Sequence, residues 1–288
     1  MVTHGYYPTD DGHQLYWERC GTPGGEPIFF LHGGPGSYCN RHHLEFFDLQ
    51  RFDIVLFDQR GCGRSIPHGE LQRNDTGHCV EDIDGLRQHL GFEKISLLGV
   101  SWGSWLAIQY QQRYPQALLK TTLASIFVPF AENVSAYDEH VSIGLGAIHQ
   151  RTCADNARAI YQILTKGCAL QQHHAALHWI QASMYLEGQS MPPSQLASFA
   201  DQDAVRSIRL ELHYHLNHYF FRREDESLSL DANTEVIQGT RDTLGMASVR
   251  WLRRRQPLQF RLFDAGHNAF EPAIVKAVRQ SLKRDIAR

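Results

Sequence analysis

Residues 98–104 read Leu-Gly-Val-Ser-Trp-Gly-Ser, so Ser101 stands two places from a glycine on either side, directly after an apolar run. A chain that turns this sharply from strand to helix crowds its own backbone, and only residues with little bulk fit two positions before and after the serine. The flanks supply what such a turn needs. Residues 95–100 predict a buried strand, and residues 102–114 predict a helix with apolar Trp105, Leu106, Ile108 and Tyr110 and no proline or glycine after Ser104. This is a nucleophile elbow.

The surrounding pattern is one of alternation. Short apolar runs at 27–31 and 53–57 predict two more strands, and Val80, Ile83, Leu86 and Leu90 fall three or four apart, which predicts a helix over 80–90. Residues 121–127 predict the next strand, and the whole stretch predicts an α/β sheet. From Pro129 to about Leu230 the spacing turns helical, rich in His and Gln, with no convincing strand. Strand signals return at 234–238 and 258–263, each followed by a helix candidate (244–254 and 270–286). The expectation is a catalytic domain from residues 1–128 and 231–288, interrupted by a helical cap domain at 129–230.

Composition excludes several classes. A length of 288 residues, 42% hydrophobic and 20% charged, is that of an ordinary globular protein, and a net charge of -3 provides no field for gathering nucleic acid. Arg250, Arg253, Arg254 and Arg255 read as the solvated end of a helix. The six cysteines form no C-x-x-C pair, so free thiols are expected rather than a zinc ribbon or a disulfide framework. No signal peptide is evident and no apolar run approaches the ~20 residues that span a bilayer, so no membrane partner and a cytoplasmic location are expected. His174 and His178 are four apart, as are His149 and Cys153, but neither pair has a third ligand suitably placed. No metal and no organic cofactor is expected, and the oligomeric state is left open.

A serine hydroxyl is a poor nucleophile until a base takes its proton, so a carboxylate and then a histidine should follow the elbow. Asp242 lies just after the strand at 234–238, and His267 lies just after the strand at 258–263. Loops at one edge of a parallel sheet bring such distant residues together. Asp264 is the rival acid, but it stands only three residues before His267. Acyl transfer also needs donors for the oxyanion. The loop His32-Gly33-Gly34-Pro35-Gly36 supplies backbone N–H groups from Gly33 or Gly34, and Trp102 supplies another.

With these residues in place, the chain resembles the proline iminopeptidases, α/β-hydrolases that remove an N-terminal proline. The matching segments are HGGPG at 32–36, DQRGCGRS at 58–65, GVSWGSWLA at 99–107 and AGHNAFEP at 265–272. The resemblance implies the α/β-hydrolase fold with an inserted helical cap. It also implies two cap glutamates that bind the substrate's protonated amine, since carboxylates are the physical means of holding an ammonium group. Tyr185-Leu186-Glu187-Gly188 matches the context of the first and Arg209-Leu210-Glu211-Leu212-His213-Tyr214 that of the second, so the pair would be Glu187 and Glu211. This sequence differs from the family pattern at Val100, at Leu186, at Gly-Thr-Arg-Asp ending in Asp242, and at Ala124-Ser125-Ile126-Phe127, which lacks an arginine. The cap aromatics Trp179, Tyr185, Tyr219, Phe220 and Phe221 read as packing, with some walling the proline pocket.

The expected reaction is attack by Ser101 on the carbonyl of an N-terminal proline or similar small residue of a short peptide or amino-acid amide, with His267 as base and Asp242 orienting it. Two rivals stand beside it: an esterase or amidase with an altered cap and no need for a free amine, and a catalytically silent ligand-binding protein on the same fold.

Overall fold

The computed structural model describes residues 2–148, 157–186 and 191–284. They form an eight-stranded sheet of order β1-β2-β4-β3-β5-β6-β7-β8. The strands are β1 (Thr3–Pro8), β2 (Gln14–Gly21), β3 (Glu26–Leu31), β4 (Phe52–Phe57), β5 (Ile95–Ser101), β6 (Leu118–Ile126), β7 (Thr234–Gly239) and β8 (Gln259–Phe263). From β4 to β8 neighbouring strands are parallel, whereas β1 and β2 pair antiparallel and β2 joins β4 antiparallel. The apolar pattern of the sequence predicts no strand before residue 27. The physical reason is the half-exposed edge: β1 buries no residue fully and β2 only Leu15 and Cys20, so the apolar signal there is weak.

Central strands are covered on both faces, which explains their unbroken apolar runs. In β3, Phe29 and Leu31 join Val55, Phe57 and Leu97 on one face, and Ile28 and Phe30 join Ile54, Leu56 and Leu98 on the other. The first face packs against α1 (Thr76–His89) and α2 (Trp102–Arg113), through Val80, Ile83, Leu86, Trp105 and Leu106. α1 begins four residues before the predicted helix, because its cap lies outside the apolar period: the Asp75 side chain accepts from the His78 N–H at 2.9 Å.

Between β6 and β7 the described residues form helices and no strand. These are α3 (Ala131–Ile148), α4 (Ala157–Lys166), α5 (Ala169–Leu186), α6 (Pro193–Phe199) and α7 (Gln202–Leu216). Ile160, Leu164, Ala175, Trp179, Val205, Ile208 and Leu212 give this insertion a core of its own. After β7 the chain forms α8 (Thr243–Arg253), which adds to the first face, and after β8 it forms α9 (Pro272–Leu282), whose Ile274, Ala277 and Val278 close the second face. Among the described residues no helix is long and apolar enough to cross a membrane.

Candidate active site

Ser101 ends β5 with φ of +52°, a left-handed conformation that a side-chain-bearing residue adopts only at a cost. The turn is possible because neighbouring backbone fills the space where side chains would stand. A Cβ on Gly99 would collide with the carbonyl oxygen of Gly103, and one on Gly103 with that of Leu31. Ser104 braces the turn from inside the helix, its hydroxyl donating to the Ser101 carbonyl at 2.5 Å and accepting from the Phe127 N–H at 3.0 Å.

The structure brings Ser101, His267 and Asp242 into one hydrogen-bonded relay. Ser101 Oγ lies 2.9 Å from His267 Nε2, and His267 Nδ1 lies 2.6 Å from Asp242 Oδ2. A carboxylate can only accept, so Nδ1 carries the proton and Nε2 is left to accept from the serine. Two backbone bonds tie the loops that carry acid and base, from Thr240 N–H to the Phe263 carbonyl at 2.8 Å and from Arg241 N–H to the Ala265 carbonyl at 2.9 Å.

Asp242 is buried, and burial alone would raise its carboxyl. Hydrogen bonds from His267, the Gly245 N–H at 2.9 Å and the Gln238 amide at 2.8 Å outweigh burial and hold it below the ordinary carboxylate value. It stays charged. Asp264 is exposed and bound to Arg241 Nη1 at 2.7 Å, away from the relay. Arg241 also reaches Glu271, which accepts from the Gly266 N–H at 2.5 Å and so braces the loop before His267.

On the other side of the nucleophile stands the glycine loop. A Cβ on Gly33 would lie 3.2 Å from Ser101 Cβ, which places this backbone against the serine; Gly34 faces the turn itself, toward the N–H groups of Gly36 and Ser37. Trp102 opens α2, so its N–H is among those a helix leaves unpaired at its start. His32 sets the loop. It accepts from the Gln59 N–H through Nε2 at 3.1 Å, so Nδ1–H donates to the Gly33 carbonyl at 2.8 Å. Burial pushes its imidazole down to about 4, and it is neutral. The Gln59 side chain donates to the His32 carbonyl at 2.9 Å and accepts from the Trp102 indole at 3.2 Å, tying loop to elbow.

α7 closes over this centre. A Cβ on Gly36 would collide with the Ser207 carbonyl, and the Tyr214 ring lies 5.1 Å from that of Trp102. Glu211 lies one turn beyond Ser207, and its two carboxylate oxygens accept from the Tyr137 hydroxyl at 2.9 Å and the Trp179 indole at 3.2 Å. Tyr219, packed 5.5 Å from the Trp102 ring, has its phenol raised by burial and further by the charges of Glu211 and Asp138. Glu211 thus lies close to Tyr219, whose ring packs against the residue that follows the nucleophile. Glu187, His149 and Cys153 lie outside the described residues, as does the side chain of Tyr185. Among the described residues no group of three or more potential metal ligands forms, and the five described cysteines are free thiols.

The α/β-hydrolase fold model matches residues 26–145. A proline iminopeptidase of Xanthomonas citri is 34% identical over 95% of this chain and 93% of its own length, and a probable proline iminopeptidase of Leptolyngbya boryana is 31% identical over 98% and 94%. The chain belongs to the proline iminopeptidase family. Among solved structures, a proline iminopeptidase-related protein of Thermus thermophilus superposes with a TM-score of 0.64 at 22% identity, covering 98% of this chain and 97% of that one. An esterase of Exiguobacterium antarcticum superposes with 0.67 at 17% identity, covering 97% and 98%. The first pair shows the iminopeptidase family; the second shows the hydrolase fold alone.

Sequence reasoning missed Gln238, Gln59 and Tyr137. Gln238 left a trace, a polar side chain at the end of the strand signal, four residues before the acid. Tyr137 left none, since its partner lies 74 residues away on another helix.

Proposed function

We propose that the chain is a serine aminopeptidase that releases N-terminal proline, or a similar small residue, from short peptides. Residues 129–230 act as the cap and residues 1–128 and 231–288 as the catalytic unit. The carrying observation is the unbroken relay from Ser101 through His267 to the charged Asp242, under an insertion that presents the Glu211 carboxylate.

Ser101 Oγ attacks the carbonyl carbon while His267 Nε2 takes its proton, and Asp242 stabilises the imidazolium. The developing oxyanion is held by backbone N–H groups of Gly33 or Gly34 and Trp102, donors worth about 3 kcal/mol each in such sites. His267 returns the proton to the departing nitrogen as the C–N bond breaks. Water, activated by the same histidine, then cleaves the ester and restores Ser101. Glu211 binds the substrate's ammonium, with Glu187 as the second carboxylate. No metal or organic cofactor enters the reaction. Free thiols at Cys20, Cys39, Cys62, Cys79 and Cys168 fit a reducing, cytoplasmic setting.

Rates on proline, alanine and leucine arylamides test this reading, with a serine-directed phosphonate as inhibitor. The proline compound should show the highest kcat/KM and the phosphonate should abolish it. Cleavage of simple acyl esters without any arylamide cleavage would refute it.

A further inference from the structure

β6 departs from regular pairing where it passes the nucleophile. Val100 pairs with Ala124 but Ser101 pairs with Ile126, so Ser125 is an extra residue in β6, with φ of +46°. The Ile126 N–H beside this bulge donates to a side chain, Gln238 Oε1, at 2.7 Å. An N–H can only donate, so this bond fixes which end of the Gln238 amide is which. Nε2 must face away from β6, and it donates to the Gly239 carbonyl at 3.2 Å and to Asp242 Oδ2 at 2.8 Å. That oxygen is the one that accepts from His267. Gln238 is fully buried, and both ends of its amide are in use.

We propose that Gln238 is a positioning residue that carries the geometry of the β6 bulge beside Ser101 across to the Asp242 carboxylate, fixing the oxygen that faces His267. The inference rests on the reading of Ser101, His267 and Asp242 as the catalytic relay. The Gly245 N–H holds only Asp242 Oδ1. Without the amide, Oδ2 keeps His267 alone, and the carboxylate, still held at Oδ1 by the Gly245 N–H, can pivot about that bond. The orientation of the imidazole turns with it.

The test compares Gln238→Leu, Gln238→Glu and Asp242→Asn with the parent protein on a prolyl arylamide, alongside melting curves. In Gln238→Leu, kcat is expected to fall about 10- to 100-fold with KM within about threefold, the size of loss that small misplacements of reacting groups produce. Gln238→Glu keeps the size and the acceptor for Ile126; buried beside the charged Asp242, the new carboxyl holds its proton and can still donate to Oδ2. At neutral pH it should therefore keep kcat within about threefold of the parent, whereas Gln238→Leu should not. A residue that only filled the core would lower Tm in the leucine variant and leave kcat in place. Unchanged kcat in folded Gln238→Leu overturns the proposal, and if the leucine variant does not fold, Gln238→Met, which keeps the length and loses the donor, is read in its place, parent-like kcat there overturning it equally. If Asp242→Asn is inactive while Gln238→Leu matches the parent, the positioning role fails and the relay stands. If Asp242→Asn keeps full kcat, the relay fails and the proposal falls with it.

Discussion

The relay of Ser101, His267 and Asp242 and the Glu211 carboxylate of the insertion are held by different kinds of structure. Asp242, His267 and Ser101 sit at the C-terminal ends of parallel strands, and many of the bonds that place them come from backbone groups: the Gly245 N–H, the Thr240 and Arg241 N–H groups, the turn at Ser101. Side-chain donors on other helices of the insertion, Tyr137 on α3 and Trp179 on α5, hold Glu211. A sheet fixes its strand ends largely through backbone bonds. A helical insertion fixes a carboxylate only as well as its own packing allows. On the proposed reading, chemistry belongs to the sheet and recognition to the insertion, each held in its own way.

The largest effect should come from the sheet. Asp242→Asn leaves the shape but reverses the hydrogen-bonding partner of His267, and kcat should fall about 10⁴-fold with KM little changed. A fall of less than tenfold would mean that the strand-end relay is not the chemical centre. Next is the insertion. Glu211→Gln removes a charged acceptor, worth about 1.5–3 kcal/mol, so KM for a free-amine substrate should rise about 10- to 100-fold while kcat changes little. Equal loss in kcat would erase the division between the two regions.

A third prediction concerns the glycine loop and pH. His32 is buried neutral, its imidazole at about 4 against an ordinary 6.5, so below 6.5 the unfolded chain binds a proton that the folded one refuses. Stability therefore falls as pH drops from 6.5 toward 4, by about 3 kcal/mol when the window is crossed. Asp242, held low, adds its own loss only at more acid pH, as the folded carboxylate is protonated. Urea melts at pH 7 and 4.5 should show the His32 loss in the parent and not in His32→Asn; identical slopes would remove His32 as the cause. The smallest effect is at the bulge. Ser125 has positive φ and a buried hydroxyl without a hydrogen-bond partner. Ser125→Gly should relieve both and raise stability by about 1 kcal/mol, or Tm by about 2–4 °C. A lower Tm would show that the serine is needed there.

The same contrast decides what could be read from the sequence. The elbow, the order of Ser101, Asp242 and His267, and the central strands were legible because each is local: glycines two residues either side of a serine, apolar runs, a loop after a strand. The edge hairpin β1–β2 was not, since half-exposed strands carry no apolar run. Glu211 was found through the residues around it; of its donors, Trp179 reads from the sequence only as a cap aromatic and Tyr137 not at all, because helices packed across 32 and 74 residues of chain leave no periodic mark of which side chains meet. Gln238 and Gln59 fall between, being polar residues at or just beyond the end of a strand whose partners only the folded sheet reveals.

The proposed function requires a sheet-borne acylation centre aimed, by a carboxylate from the insertion, at substrates with a free amine. Its most direct test is the hydrolysis of prolyl arylamide, its N-acetylated counterpart and a short acyl ester by the parent protein and by Glu211→Gln. The parent should cleave the free-amine arylamide alone, and Glu211→Gln should lose that preference. Cleavage of all three by the parent, unaltered in Glu211→Gln, would leave the relay in place and contradict recognition of the amine by Glu211.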